Sequence, residues 1–282
     1  MKSNRFIVFA LAAASMVTRV DASTIYGATS SGHGELYILD PTTGGVLTDV
    51  GPLNDSAAVN YSVTGLAFNP LGGVLYGSTG GVSGHSLLTI NPVSGLVTVV
   101  GSFNVGTATM TDLAFDSSGN LYGIGSSGGA NLYSINLGTG QATLIGPSGV
   151  SFTEGGGLAI SSGGTFYGAP IPGEYGTYDP TTGAYTHITS PATPAGSGGS
   201  YGALAFDGSV LYGDNLKAPS GVTHLVTIDP ASGTVTDIGP SVLHLDAIAV
   251  IPEPGSIALF SLSGLVALFA ARRRTLQDAS RE

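Results

Sequence analysis

The chain has 282 residues, of which 45 are Gly and none is Cys or Trp, and only 9% are charged. This length accommodates one large all-β domain with a full core, and the lack of Cys excludes a disulfide scaffold and any Cys-ligated metal site. The net charge is −10, and Lys217 is the only Lys or Arg between residues 23 and 251. A chain so poor in basic residues lacks the surface that neutralises phosphates, so the sequence argues against nucleic acid as a partner.

The first 22 residues are typical of a processing signal. Lys2 and Arg5 precede the apolar run Phe6–Val17, and the small-residue stretch at 20–22 offers a cleavage site before Ser23. The apolar run is shorter than the roughly 17 residues that a helix needs to cross a bilayer. The sequence therefore predicts a cleaved signal peptide over residues 1–22.

Residues 24 to 250 consist of a repeat of four short apolar runs separated by Gly, Ser, Asn and Asp. In the copy at 111–146 the runs are LAF, LYG, LYSI and ATLI. Short runs of β-branched and aromatic residues between turn formers indicate strands, and the unit has no helical period. Four strands in about 45 residues is the size of one β-propeller blade.

A Tyr-Gly pair in the second strand sets the register of the copies. The tyrosines are Tyr26, Tyr76, Tyr122, Tyr167 and Tyr212. We interpret them as packing between blades, with the following Gly allowing the chain to turn behind them. The third strand of each copy ends in a turn with Asp or Asn first and Gly fifth, which suits a type I turn closed by a left-handed Gly. In such a turn the Asp side chain bonds its own backbone, so we do not interpret these residues as metal ligands.

The innermost strand indicates how the ring closes. It reads Leu-Ala-Phe or Leu-Ala-Ile in four copies, is missing from the N-terminal copy, and reappears as Ile248–Val250 at the far end. We therefore predict an all-β, five-bladed β-propeller over residues 23–250. Its composite blade would have one strand, at 246–250, paired with the three-strand blade that begins at residue 24, which seals the sheet edges. The repeat resembles propeller repeats of the NHL and YVTN type, a pattern that enzymes and binding proteins share.

Residues 251–282 carry the most specific signal. Pro252, Glu253 and Pro254 precede the apolar stretch Ser256–Ala271, three arginines (Arg272, Arg273 and Arg274) and eight further residues. This order resembles the PEP-CTERM sorting signal of exopolysaccharide-producing Gram-negative bacteria, which an exosortase recognises and processes. The apolar stretch would rise about 24 Å as a transmembrane helix, with the arginines on the cytoplasmic side. The resemblance implies an inner-membrane anchor before processing and then a place at the cell surface or in the extracellular matrix.

One face of the predicted ring carries the candidate binding residues. The position just before the third strand is held by Glu35, Ser86, Asn131, Glu174 and His224. The strand order places this position on the same face as the loops that enter the innermost strands. We take Glu35, Asn131, Glu174 and His224 as the candidate binding face. A sugar or Ca²⁺ is the ligand that such an acidic face would accept, and solvated loop ends are the alternative interpretation; the sequence indicates no other cofactor and no metal motif.

Two functions are open on the sequence. The export signal and the lack of G-x-S-x-G, H-E-x-x-H or phosphate-loop motifs favour a non-catalytic surface or matrix protein that contacts extracellular polysaccharide or an envelope protein. The alternative is a glycan-processing enzyme with Asp112, Glu154 and Asp246 converging at the channel. Glycoside hydrolysis requires two carboxyl groups about 5–9.5 Å apart, so the positions of these carboxylates distinguish the two functions.

Overall fold

The computed structural model describes residues 23–80, 85–106, 108–190, 199–217 and 222–251. Within these ranges the regular structure consists of twenty β-strands in five four-stranded sheets, without a helix. Accordingly, the described part of the chain has no helix long and apolar enough to span a membrane. The predicted signal peptide at 1–22 and the predicted C-terminal helix at 256–271 lie outside the described residues.

Each blade is an antiparallel sheet, and its strands are between 4 and 7 residues long. In chain order the strands are β1 (Thr24–Thr29), β2 (Glu35–Leu39), β3 (Val46–Pro52), β4 (Val63–Phe68), β5 (Leu75–Thr79), β6 (Ser86–Ile90), β7 (Val97–Ser102), β8 (Met110–Phe115), β9 (Leu121–Gly125), β10 (Asn131–Ile135), β11 (Ala142–Gly146), β12 (Gly157–Ile160), β13 (Phe166–Ala169), β14 (Tyr175–Tyr178), β15 (Tyr185–Thr189), β16 (Tyr201–Asp207), β17 (Val210–Asn215), β18 (His224–Ile228), β19 (Val235–Pro240) and β20 (Leu245–Ile251).

The pairing of the first and last strands closes the ring, as predicted. β20 lies antiparallel to β1, with Ala249 opposite Tyr26. Blade 1 has the order β20-β1-β2-β3, and blades 2 to 5 each consist of four consecutive strands. The innermost strands β20, β4, β8, β12 and β16 contact one another in a cycle, so they surround a central channel. The five-bladed propeller with one composite blade is therefore confirmed.

The Tyr-Gly pairs pack between blades, but the glycine has a different role from the predicted one. The ring of Tyr122 in blade 3 meets that of Phe166 in blade 4 edge to face, with centroids 4.8 Å apart. The expectation that the glycine lets the chain turn is wrong, because all five glycines lie inside strands and none has a positive φ. A Cβ on Gly27 would lie 2.6 Å from Cδ1 of Leu245. Close packing against neighbouring side chains therefore favours glycine here.

The turns between the third and fourth strands have the predicted geometry in every blade. Their fifth residues, Gly44, Gly95, Gly140, Gly183 and Gly233, all have φ between 68° and 75°, in the left-handed region that favours glycine. Oδ1 of Asp40 accepts hydrogen bonds from the backbone N–H and the hydroxyl of Thr42 at 2.8 and 2.7 Å. These bonds lower the pKa of the Asp40 carboxyl. The turn role of these acidic residues is confirmed.

A second set of glycines lies where the outer edges of neighbouring blades contact each other. A Cβ on Gly101, in the fourth strand of blade 2, would collide with the carbonyl oxygen of Thr139 in the third-to-fourth turn of blade 3. The same contact recurs between blades 3 and 4 and between blades 5 and 1. Between blades 4 and 5 the strand carries Thr189 instead, and its methyl group faces Gly233. At three of the five junctions the backbones of adjacent blades thus approach too closely for a side chain on the fourth strand.

Candidate functional site

The two faces of the ring differ in their ion pairs. We call the face on which the innermost strands begin the entry face, and the opposite one the exit face. Because strands alternate in direction within a blade, the third strand also begins at the entry face. Three ion pairs are found among the described residues, and all lie at the entry face: Glu174 with His187, His224 with Asp237, and Glu154 with Lys217.

The predicted binding residues divide into a polar rim and a buried support. Glu35 is partly exposed at the start of β2, and burial and the nearby Asp49 carboxylate raise its pKa. Glu174 lies 2.6 Å from Nδ1 of His187, and His224 lies 2.9 Å from Asp237. These side chains present polar groups around the rim of the entry face.

Asn131, by contrast, serves the loops of its own blade. It is only 7% exposed. Its Nδ2 donates to the carbonyl oxygen of Ser127, and its Oδ1 accepts from the N–H of Ser148. Both ends of the amide are therefore bonded inside the protein, and the polar rim consists of Glu35, Glu174 and His224 with their partners.

Asp112 lies at the centre of the ring and is completely buried. Its Oδ1 accepts from the N–H of Leu113 at 2.8 Å. Its Oδ2 accepts from the N–H groups of Leu158 in β12 at 2.8 Å and Leu204 in β16 at 3.0 Å. Burial raises the pKa of this carboxyl well above its usual range, against the opposing effect of the three donors. Asp112 thus connects three of the five innermost strands.

Glu154, unlike Asp112, is exposed to solvent. Its side chain is 46% exposed in the loop before β12 and forms an ion pair with Lys217. The structure therefore places two of the three alternative catalytic carboxylates in different environments, one buried among backbone donors and one in solvent. Neither arrangement resembles a pair of carboxyl groups facing a substrate.

The third of these carboxylates, Asp246, has a neighbour that the sequence analysis missed. Asp214, in β17, is completely buried, and its Oδ1 accepts from the N–H of Ala203 at 2.7 Å. Oδ1 of Asp214 and Oδ1 of Asp246 both lie within 3.3 Å of the position that a Cβ on Gly202 would take. The two carboxylates therefore face a common space at the entry end of the channel.

Burial dominates the electrostatics of this pair. It raises the pKa of Asp246 to about 7, although a hydrogen bond from Ser30 opposes the shift. Burial and the charge of Asp246 together raise the pKa of Asp214 well above its usual range. A sequence signal for Asp214 exists: the residue after Tyr-Gly is Ala28, Ser78, Ile124 or Ala169 in the other copies. The other copies have a small or apolar residue at this position, so an acidic residue there indicates a different local environment where blade 5 meets blade 1.

The exit end of the channel is apolar. A cavity of about 200 Å³ opens there, and every residue that lines it is apolar. Its mouth is formed by the last residues of the Leu-Ala-Phe strands, namely Phe68, Phe115, Ile160, Phe206 and Val250. These side chains are half-buried and offer no donor or acceptor to a polar ligand.

Fold and sequence together define a class: an exported five-bladed propeller with a C-terminal sorting signal. A family model described as a repeat of unknown function, DUF6923, matches residues 47–208, and the chain belongs to that family. The model of the PEP-CTERM protein-sorting motif matches residues 250–274. This motif implies export of the protein and processing by an exosortase at the membrane. A search of curated proteins finds no match to the chain.

Three solved structures are similar to the chain at low sequence identity. A chain of the nidogen/laminin complex is 14% identical, with a TM-score of 0.52, and the match covers 81% of this chain and 98% of that one. A Bacteroides thetaiotaomicron protein of unknown function is 16% identical over 76% of this chain and 64% of its own, with a TM-score of 0.47. Glutaminyl cyclase from Myxococcus xanthus is 19% identical over 65% and 71%, with a TM-score of 0.45. The first likeness supports the NHL-like propeller fold and nothing further.

Proposed function

We propose that this protein is a non-catalytic surface or matrix protein whose entry face binds extracellular polysaccharide. The observation that carries the proposal is the state of the channel carboxylates. A glycosidase needs two carboxyl groups that both reach the sugar. Asp112 and Asp214 are completely buried, and Glu154 is held in an ion pair at the surface. Of the three carboxylates that the sequence offered for catalysis, only Asp246 is thus left partly exposed at the channel without an ion pair among the described residues.

The rim of the entry face supplies the binding groups. Glu35, Glu174 and His224 occupy equivalent positions in blades 1, 4 and 5, so their polar groups recur around the ring. Carboxylates and imidazoles exchange hydrogen bonds with sugar hydroxyls, and a rigid sheet scaffold holds them without ordering costs on binding. A repeated set of weak contacts suits a polymer, because successive sugar units engage successive blades.

Binding to the polysaccharide of the producing cells tests this proposal. The full chain, purified in detergent, is passed over the immobilised polymer, and the eluate is assayed for new reducing ends. We expect retention without cleavage, and about tenfold weaker retention for Glu174→Gln or Glu35→Gln, since each removes a charged hydrogen-bonding group. Thr143→Ala, at an exposed position near the exit face, is the matched control and should bind as the parent does.

Other outcomes separate the alternatives. Cleavage of the polymer that disappears in Asp246→Asn would establish the glycan-processing enzyme instead. Retention by an isolated envelope protein, with none by the polysaccharide, would assign the entry face to a protein partner. Equal retention of Glu174→Gln, Glu35→Gln and the parent would remove the entry face as the binding surface.

We also propose that the processed protein resides at the cell surface or in the extracellular matrix. Mass spectrometry of the mature protein should find a first residue at or near Ser23 and no peptide from beyond the sorting motif. Intact protein that begins at Met1 and remains in the cytoplasm would contradict this location.

A further inference from the structure

The exit end of blade 2 carries the two most exposed large apolar side chains among the described residues. Val93 is 86% exposed in the turn between β6 and β7, and Leu71 is 70% exposed in the loop between β4 and β5. Leu96, at the end of the same turn as Val93, is half exposed. Both segments lie at the exit face, because β4 and β6 end there. We call Leu71, Val93 and Leu96 the blade-2 patch.

The exit end of blade 2 is also uncharged at two positions where the other blades are acidic. The residue after the Leu-Ala-Phe sequence is Asn69, and the first residue of the turn between the third and fourth strands is Asn91. Each of the other four blades carries at least one Asp at these two positions, namely Asp40, Asp116, Asp179, Asp207 and Asp229. Because the transfer of a charge out of water is costly, blade 2 is the end of this face that can approach an apolar phase.

Both asparagines keep the local geometry that the aspartates provide elsewhere. Oδ1 of Asn91 accepts from the N–H of Val93 at 2.9 Å, and Oδ1 of Asn69 accepts from the N–H of Leu71 at 2.9 Å. Asp40 accepts in the same way from the N–H of Thr42. Blade 2 therefore retains the turns of the other blades without their charge.

The chain leaves the propeller beside this patch. Ile251, the last described residue, ends β20 and lies at the exit face. It packs against the same buried cluster as Phe68, which ends β4 three residues before Leu71, and this cluster is formed by residues of blades 1 and 2. The sequence continues with only four residues, 252–255, before the apolar stretch that starts at Ser256. The point of departure and the patch therefore lie on neighbouring blades at one face.

The length of this link restricts which face can meet the membrane. The sorting motif at 250–274 implies processing at the membrane. The five peptide units from Ile251 to Ser256 span at most about 18 Å. The seven residues of β20 extend over about 20 Å between the entry and exit faces, at about 3.3 Å per residue. A link that starts at the exit face is thus too short to reach past the entry face.

We propose that the exit end of blade 2 rests on the lipid surface of the membrane while the sorting segment is still attached. The blade-2 patch supplies apolar side chains to the interfacial region, where the removal of exposed apolar surface from water is favourable. The described residues of the exit face include no Lys or Arg, since Lys217 pairs with Glu154 at the entry face, so the contact is not an attraction to anionic lipid. The entry face would then be directed away from the membrane. The inference rests on processing at the membrane and not on polysaccharide binding by the rim.

Single-cysteine labelling of the full chain tests this orientation, because the chain has no native Cys. Val93→Cys, Leu243→Cys and Leu144→Cys place an environment-sensitive fluorophore in the patch, at the entry face and on the outer strand of blade 3, and each position is at least half exposed. The labelled chain is added from detergent to preformed phosphatidylcholine vesicles, and flotation isolates the vesicles that carry it. We expect lipid-borne nitroxide to quench the label at position 93 at least about threefold more than the other two, because interfacial side chains lie about 5–10 Å into the headgroup region.

A charge placed beside the patch provides a second, matched test. Asn91→Asp gives blade 2 the acidic turn residue that three other blades already have, so the turn should fold unchanged. In the chain that carries Val93→Cys, this substitution should reduce the lipid quenching by at least about half, because the apolar phase disfavours a charge. Asn136→Asp is the matched control, since blade 3 has Asn at the same turn position outside the patch, and it should leave the quenching unchanged.

Three results would overturn the proposal. Equal quenching at the three labelled positions, or stronger quenching at 243 or 144, would show that the patch is not the surface that faces the lipid. Equal effects of Asn91→Asp and Asn136→Asp on the label at 93 would show that blade 2 makes no special contact. Failure of the chain to float with the vesicles would contradict its attachment to lipid altogether. None of these results bears on retention by polysaccharide, so the two proposals can fail independently.

Discussion

At the entry end of the central channel the side chains of Asp112 and Asp214 are completely buried, whereas the cavity of about 200 Å³ at the exit end is lined by apolar residues alone. The innermost strands are edge strands of their sheets, so the N–H groups that face the channel have no strand partner and need acceptors. Asp112 accepts three of them and Asp214 one more. The difference between the two ends shows that acidic residues near a propeller axis can have a structural role, as acceptors of backbone hydrogen bonds.

Removal of the Asp112 carboxylate at the entry end should destabilise the protein more than any other change considered below. Asp112→Ala leaves the N–H groups of Leu113, Leu158 and Leu204 buried without an acceptor. At about 1–2 kcal/mol each, the free energy of unfolding should fall by about 3–6 kcal/mol. Urea denaturation measures it, and Asp112→Asn, which keeps an acceptor oxygen, should lose distinctly less. Equal stability of the alanine variant and the parent would show that the three N–H groups find other acceptors, such as water.

The pH dependence of the free energy of unfolding should distinguish the acidic entry end of the channel from the apolar exit end. Because the folded pKa of Asp246 is about 7 and the unfolded value is near 3.9, the folded state holds a proton that the unfolded state releases between these values. The contribution of Asp246 to the free energy of unfolding is therefore highest below about pH 4 and falls as the pH rises towards 7.

The substitution Asp246→Asn should abolish this decrease in the free energy of unfolding with rising pH. Relative to the parent it should gain on the order of 2–4 kcal/mol at pH 8 and little at pH 4. Thermal unfolding at both pH values measures the difference. A gain of the same size at pH 4 would mean that packing and not charge is responsible.

Truncation at the exit end should cost stability without a pH signature. Phe115 lines the cavity mouth and packs on Tyr76, with ring centroids 5.5 Å apart. Phe115→Ala should lower the free energy of unfolding by about 1–3 kcal/mol, less than for a fully buried Phe because the side chain is half-exposed. Denaturant titrations at pH 5 and pH 8 should give the same change. A pH-dependent change would connect the exit end to the carboxylates.

A surface ion pair of the entry face should contribute least. Lys217 and Glu154 are each nearly half exposed, so solvent and salt screen their attraction. Lys217→Ala should change the free energy of unfolding by less than about 0.5 kcal/mol. Chemical denaturation at low and high salt provides the check, and a loss comparable with that of Asp112→Ala would show that this charge acts over the whole channel.

Local chemistry accounts for what could be predicted. The turn at Asp40–Gly44 depends on neighbouring residues only, so its geometry was predicted correctly from five positions. The recurrence of the strands at intervals of about 45 residues, with the innermost strand displaced to 248–250, was sufficient to predict five blades and their closure. The sorting motif is likewise a linear signal, since an exosortase substrate is recognised along the chain.

The sequence by itself thus determined the repeat, the turns, the ring closure and the export of this protein, because each depends on residues that are close in the chain or equivalent by repetition. Only the tertiary structure decided what the acids do. Asp112 bonds residues 46 and 92 positions away, and Asp214 meets Asp246 across two blades. It also decided why glycine follows each tyrosine, which is close packing and not a turn. Such contacts depend on how five curved sheets converge on one axis, and that convergence has no signature within a single repeat.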